Sequence, residues 1–131
     1  MGLFSILGTL YVSVRYNFKL RRITPAGVVT TIAGGTPAGT TDGSESSARF
    51  NYPYGITIDS AGTLYVADTA NYRIRKTTPD ATVTTLAGTA YGYVDATGTS
   101  AQFKSPSGVA VDASGAVYVA NTTNSRIRII K

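Results

Sequence analysis

Catalysis needs side chains that move protons, hold metals or attack carbonyls, and this sequence offers few of them. It contains no histidine and no cysteine. That removes the imidazole base of nucleophilic triads, thiolate chemistry, disulfides and nearly every zinc or copper site. The acids are Asp42, Glu45, Asp59, Asp68, Asp80, Asp95 and Asp112. Two carboxylates can cleave a glycosidic bond, but most of these recur or lie in turns. Asp59 and Asp112 each open a hairpin, Asp42 and Asp95 hold equivalent places in two connecting segments, and Asp68 caps a hairpin. An aspartate that accepts the amides of its own turn is a structural group, so no enzymatic activity is expected.

The cations carry more promise. The net charge of +5 suits an anionic partner. Arg15, Lys19, Arg21, Arg22, Arg73, Arg75, Lys76, Lys104, Arg126 and Arg128 supply phosphate-type contacts, and Tyr16, Tyr72, Tyr91 and Tyr93 supply stacking surfaces. The plainer reading scatters these cations over solvated strands. The stretch "TAYGYVD" (residues 89–95) has no aromatic counterpart in the earlier "GTPAGTTD". Tyr72, Tyr91, Tyr93 and Lys104 are therefore candidate ligand contacts, with a subunit contact as the alternative.

What must position these groups is a repeat. Phe50, Pro53, Gly55, Asp59, Gly62, Tyr65, Val66, Ala67, Asn71, Arg73, Ile74 and Arg75 recur as Phe103, Pro106, Gly108, Asp112, Gly115, Tyr118, Val119, Ala120, Asn124, Arg126, Ile127 and Arg128, 53 residues on. A worn copy lies upstream, where "GTLYV" at Gly8–Val12 answers Gly62–Val66 and "VVTTIAG" answers "TVTTLAG". Each unit reads as four short strands. "YGITID" and "SGVAVD" alternate apolar with polar or small residues; "DSAG" and "DASG" turn the chain; "LYVAD" and "VYVAN", then "YRIRK" and "SRIRII", follow. "TVTTLAG" closes the second unit, and no stretch carries a helical period. Both connecting segments end on "SAxF", so Phe50 and Phe103 are expected as core anchors, together with Tyr65 and Tyr118.

At 131 residues the chain forms one domain. The spacing divides it into a degenerate unit at 1–34, a complete unit at 53–88 and a unit lacking its last strand at 106–131. The apolar start "MGLFSILGTLYVSV" ends at Arg15, too short to span a bilayer, and has neither a basic leader nor a small-residue cleavage site. No membrane partner and no targeting signal is legible, and the compartment stays open.

Meanders repeated at this spacing bury both faces against their neighbours, as the blades of a β-propeller do. "FNYPYGITIDSAGTLYVADTANYRIRK" resembles the NHL repeat, and the long glycine-rich connections resemble its long-spaced bacterial variety. The resemblance implies an all-β propeller, commonly of about six blades, with the first strand of each blade lining a channel. It implies a charge-assisted bond between Asp68 and Arg73 that shuts the hairpin, reduced to Asn121 and Arg126 in the third unit and lost at Val14 and Lys19 in the first. It leaves open a Ca²⁺ in the channel held by carbonyls and Asp59 or Asp112; no other cofactor is expected.

Two and a half to three blades cannot close a ring that takes about four to eight. An open arc exposes apolar flanks and a bare strand edge. The expectation is a self-associating scaffold, most simply a homodimer of three blades and three, with Leu3, Phe4, Ile6, Ile127, Ile129 and Ile130 at the interface. The start at Met1 is taken to favour this. The alternatives are a module that binds RNA or a protein ligand at the propeller mouth, and a fragment of a longer propeller.

Overall fold

The computed structural model describes residues Met1–Lys131. Twelve strands form three antiparallel sheets, laid side by side in chain order. The first holds β1 (Gly2–Ile6), β2 (Thr9–Val14), β3 (Lys19–Ile23) and β4 (Val29–Gly34). The second holds β5 (Gly43–Ser44), β6 (Pro53–Ile58), β7 (Leu64–Asp68), β8 (Arg73–Thr77) and β9 (Thr82–Ala87), in the spatial order β5-β9-β8-β7-β6. The third holds β10 (Pro106–Val111), β11 (Val117–Asn121) and β12 (Arg126–Ile130). "GLFSI" forms the first strand of the first sheet, and β5 is an addition the sequence did not announce.

Local chemistry sets the turns. Asp59 Oδ1 accepts the amides of Ala61 and Thr63, both at 2.9 Å, and Gly62 takes φ +86° to complete the β6–β7 hairpin. Asp112 Oδ1 repeats this with Ser114 at 2.8 Å and Ala116 at 3.0 Å. Three further hairpins, β2–β3, β7–β8 and β11–β12, pass through one 3-10 turn each. They exit through a left-handed residue that is not glycine: Phe18, Tyr72 and Ser125.

Strand alternation then divides the core in two. Val66, Leu64, Ile56 and Ile58 point from the second sheet toward the first, where they meet Leu20 and Ala33 with Phe4, Tyr11, Phe18 and Ile32 packed alongside. Tyr65, Ala67 and Ile74 point the other way and meet Val117 and Val119 of the third sheet, flanked by Val109, Val111 and Ile130. Phe50 and Phe103 lie fully buried, one in each of these interfaces.

Three expectations need correction. Phe4 and Ile130 do not face outward; alternation turns both into the inter-sheet cores. Tyr118 is not a core anchor like Tyr65, since 37% of it is exposed against 7%. The reason is positional: Tyr65 is covered by the third sheet, and nothing in the chain lies over Tyr118. Leu3, Ile6, Ile127 and Ile129 do stand exposed.

Candidate functional site

Two constellations gather polar chemistry. The first is buried, at the seam between each connecting segment and the sheet that follows it. Asp68 and Arg75 are both wholly buried, and Arg75 Nη1 donates to Asp68 Oδ2 at 2.8 Å. The two Nη groups of Arg75 also reach the Arg49 carbonyl (2.8 Å), the Thr41 carbonyl (3.0 Å) and Asp42 Oδ1 (2.7 Å). Its guanidinium also lies over the Phe50 ring, 5.1 Å from the centroid. Asp68 in turn accepts the Asn51 amide and Asn71 Nδ2, both at 2.7 Å. Burial pushes the Asp68 carboxyl above its ordinary range, against the opposing pull of those donors and of Arg75.

The partner of Asp68 is thus Arg75 and not Arg73, although Arg73 stands directly opposite in strand register. Burying a guanidinium requires acceptors for most of its fork. The connecting segment and Asp68 supply both Nη groups of Arg75 and leave only its buried Nε without a partner, whereas Arg73 finds only the Thr40 carbonyl at 3.4 Å. The third sheet changes one member. Asn121 Oδ1 accepts the amides of Lys104 (2.9 Å) and Ser105 (3.4 Å), with no bond to Arg126. Arg128 donates to the Gln102 and Val94 carbonyls, both at 3.0 Å, and pairs with Asp95 at 2.6 Å. Arg128 also covers Phe103 at 5.1 Å.

The second constellation is exposed. It lies at the end of the sheets that carries the 3-10 hairpins and the starts of the first strands. Arg15 stands 5.4 Å from the ring of Tyr16, 5.6 Å from Tyr52 and 5.7 Å from Tyr54. Tyr52 meets Tyr16 and Phe18 edge-on. One unit further on, Lys104 Nζ stands 5.5 Å from Tyr91 and 5.3 Å from Tyr93, Arg126 approaches Tyr93 at 5.9 Å, and Tyr72 meets Tyr91 edge-on. The structure therefore brings Tyr72, Tyr91, Tyr93 and Lys104 together in one patch. Sequence reading missed Tyr52 and Tyr54 because they flank Pro53 and look like part of the repeat. Cationic groups beside exposed aromatic faces can hold an anionic ligand that also offers a flat surface.

The opposite end offers no comparable site. The carboxylates of Asp59 and Asp112 are engaged by their own turns and by the hydroxyls of Tyr65 and Tyr118, each at 3.1 Å. Nowhere do three acidic side chains converge.

Comparison with known proteins fits this geometry. The NHL repeat pattern matches residues 50–76 and 103–130. NHL repeat-containing protein 2 of Bos taurus is 36% identical over 97 residues, covering 70% of this chain and 13% of its own length. The chain spans 10% to 13% of the curated relatives it matches. Among solved structures, a protein of unknown function from Bacteroides thetaiotaomicron superimposes with a TM-score of 0.85 at 29% identity, over 92% of this chain and 32% of that one. An auxiliary nutrient binding protein from Bacteroides ovatus gives 0.82 at 25% identity, over 95% and 35%.

Proposed function

From the premise that the chain belongs to the NHL-repeat β-propeller family, we propose that it is a non-catalytic section of a larger propeller ring, one that presents a ligand-binding rim. The observation that carries this reading is the outer face of the third sheet. Ile127 is 69% exposed, whereas Ile74, its counterpart one unit earlier, is wholly covered. Ala110, Tyr118, Ala120 and Ile127 form a shallow apolar hollow of about 230 Å³ on that face. A face built to be covered, left bare at the end of an arc, calls for another blade.

The length relation supports continuation within a longer polypeptide, since each matched relative is several times longer. A second route to closure is two copies of this chain. It is favoured by one feature: the outer face of the first sheet, with Leu3 exposed and Leu10 half-buried, is of the type that Tyr65, Ala67 and Ile74 cover inside the chain. Light scattering after size exclusion separates the routes. A compact two-chain particle supports closure by copies, and dissociating or aggregating protein supports a need for further blades. A monodisperse monomer that binds no hydrophobic dye sinks the ring.

For the rim, the aromatic and cationic clusters favour an RNA strand over a neutral ligand. Titration with short single-stranded RNA should show salt-dependent binding that Lys104→Ala and Tyr93→Ala weaken. Equal binding by both variants would remove the rim from the reading.

A further inference from the structure

Each occupied seam shows the same set of contacts. An arginine in a fixed register on the third strand of a sheet takes an aspartate and a phenylalanine from the connecting segment before it. In the second sheet these are Arg75, Asp42 and Phe50; in the third they are Arg128, Asp95 and Phe103. In both segments the aspartate precedes the phenylalanine by eight residues. Arg75 lies opposite Val66 on one side and Thr85 on the other, and Asp42 also takes the Thr85 amide (3.2 Å) and hydroxyl (3.0 Å). The segment then adds β5 to the edge of β9, pairing Gly43 with Val83.

The first sheet holds the same receiving groups. Arg21 lies opposite Val12 and Thr31 in the register that Arg75 has with Val66 and Thr85, with the same bulge beside it. Val29, which corresponds to Val83, is 46% exposed on the bare edge of β4. Arg21 takes part in none of the chain's three ion pairs and covers no aromatic ring. We propose that Arg21, Thr31 and the β4 edge form a docking socket for an extended segment from another repeat unit, carrying aspartate and phenylalanine eight residues apart. The aspartate bridges the Arg21 guanidinium and the Thr31 amide, the ring lies under the guanidinium, and the backbone between adds a strand to β4. Both connecting segments of this chain are already seated, so the occupant comes from a further unit. Val14 stands where Asp68 and Asn121 clasp the end of the segment. The segment is therefore held by Arg21, Thr31 and the β4 edge without that clasp.

This deepens the ring reading and rests on it, but its test is separate. A copy of residues 35–54 is placed directly before Gly2 in the full chain, replacing Met1, which keeps the observed spacing from phenylalanine to the first strand. Thermal unfolding and amide hydrogen exchange are measured on this protein and its parent. The melting temperature should rise by about 3–6 °C, and exchange at the Thr31 amide should slow about tenfold or more. Replacing the appended aspartate and phenylalanine by Asn and Ala should abolish both effects, as should Arg21→Met in the extended protein. Arg21→Met in the parent should melt as the parent does. An extended protein indistinguishable from its parent overturns the socket, and so does a gain that survives these replacements. Neither result bears on the light-scattering test of the ring.

Discussion

Gly55 on β6 stands against the backbone carbonyl of Ser107 on β10 so closely that a Cβ has no room there. Gly2 on β1 meets the Tyr54 carbonyl in the same way. The first strands of successive sheets thus approach backbone to backbone, and glycine is what permits it. Gly55→Ala should therefore prise the second and third sheets apart and cost about 1–3 kcal/mol by chemical denaturation. Gly108 is the informative control: a Cβ there meets only the Ala120 Cβ at 3.5 Å. Gly108→Ala should leave this chain's stability unchanged yet block any assembly in which a further first strand packs on β10, read as loss of the larger species in light scattering.

The buried pair gives a second expectation. Asp68→Ala strands a wholly buried guanidinium and should cost about 3–5 kcal/mol in urea unfolding. Asp68→Asn copies the arrangement at Asn121, keeps an acceptor for the Asn51 amide, and should cost less, about 1–3 kcal/mol. Arg73→Ala, half-exposed with one long hydrogen bond, should stay within about 0.5 kcal/mol. Equal losses for Arg73→Ala and Arg75→Ala would contradict the assignment of Arg75 as the buried partner.

Removing a ring from a seam should be costly. Phe103 lies wholly buried between Gly88 and Arg128, and Phe103→Ala should destabilise by about 3–5 kcal/mol. Exchange protection should fall first in β10 to β12, the strands that Phe103 joins to the second sheet. Loss confined to the first sheet would be the wrong outcome.

Alkaline pH supplies a fourth test. Burial, then the hydrogen bond to Asp59 and the charge of that group, raise the Tyr65 phenol above its ordinary value of 10.0. The unfolded chain releases this proton near that value, and the folded chain holds it longer. The stabilisation is therefore whole below about pH 10 and is lost as pH climbs through the raised folded value. Tyr118 shifts the same way, chiefly through its hydrogen bond to Asp112. Melting temperature followed between pH 8 and 11 should fall less steeply for Tyr65→Phe than for the parent; parallel curves would assign the alkaline loss elsewhere.

Much of this arrangement is readable from residues alone, because the repeat writes it twice. The strand order, the Asp59 and Asp112 turns, and the burial of Phe50 and Phe103 all follow from alternation and turn chemistry. The pairing of Asp68 was not readable, because both Arg73 and Arg75 belong to the repeat. What separates them is a set of backbone carbonyls, at Thr41 and Arg49, that no residue type advertises. Strand β5 was hidden for a related reason: Gly43 and Ser44 have no strand preference and pair because the Asp42 contact delivers them to β9. The exposed cluster around Arg15 depends on where Tyr52 and Tyr54 land once the first strand of the second sheet packs beside the first sheet.

The way each connecting segment takes its ion pair from an arginine of the sheet after it, while its phenylalanine packs between both sheets, redraws where one building block stops and the next begins. A block counted from strand to strand would be cut at residue 53 and would forfeit Asp42, β5 and Phe50. Counted by what holds together, it opens just past Gly34 or Gly88 and ends with the last strand. Anyone shortening, lengthening or shuffling this array should place the joints at those two glycines.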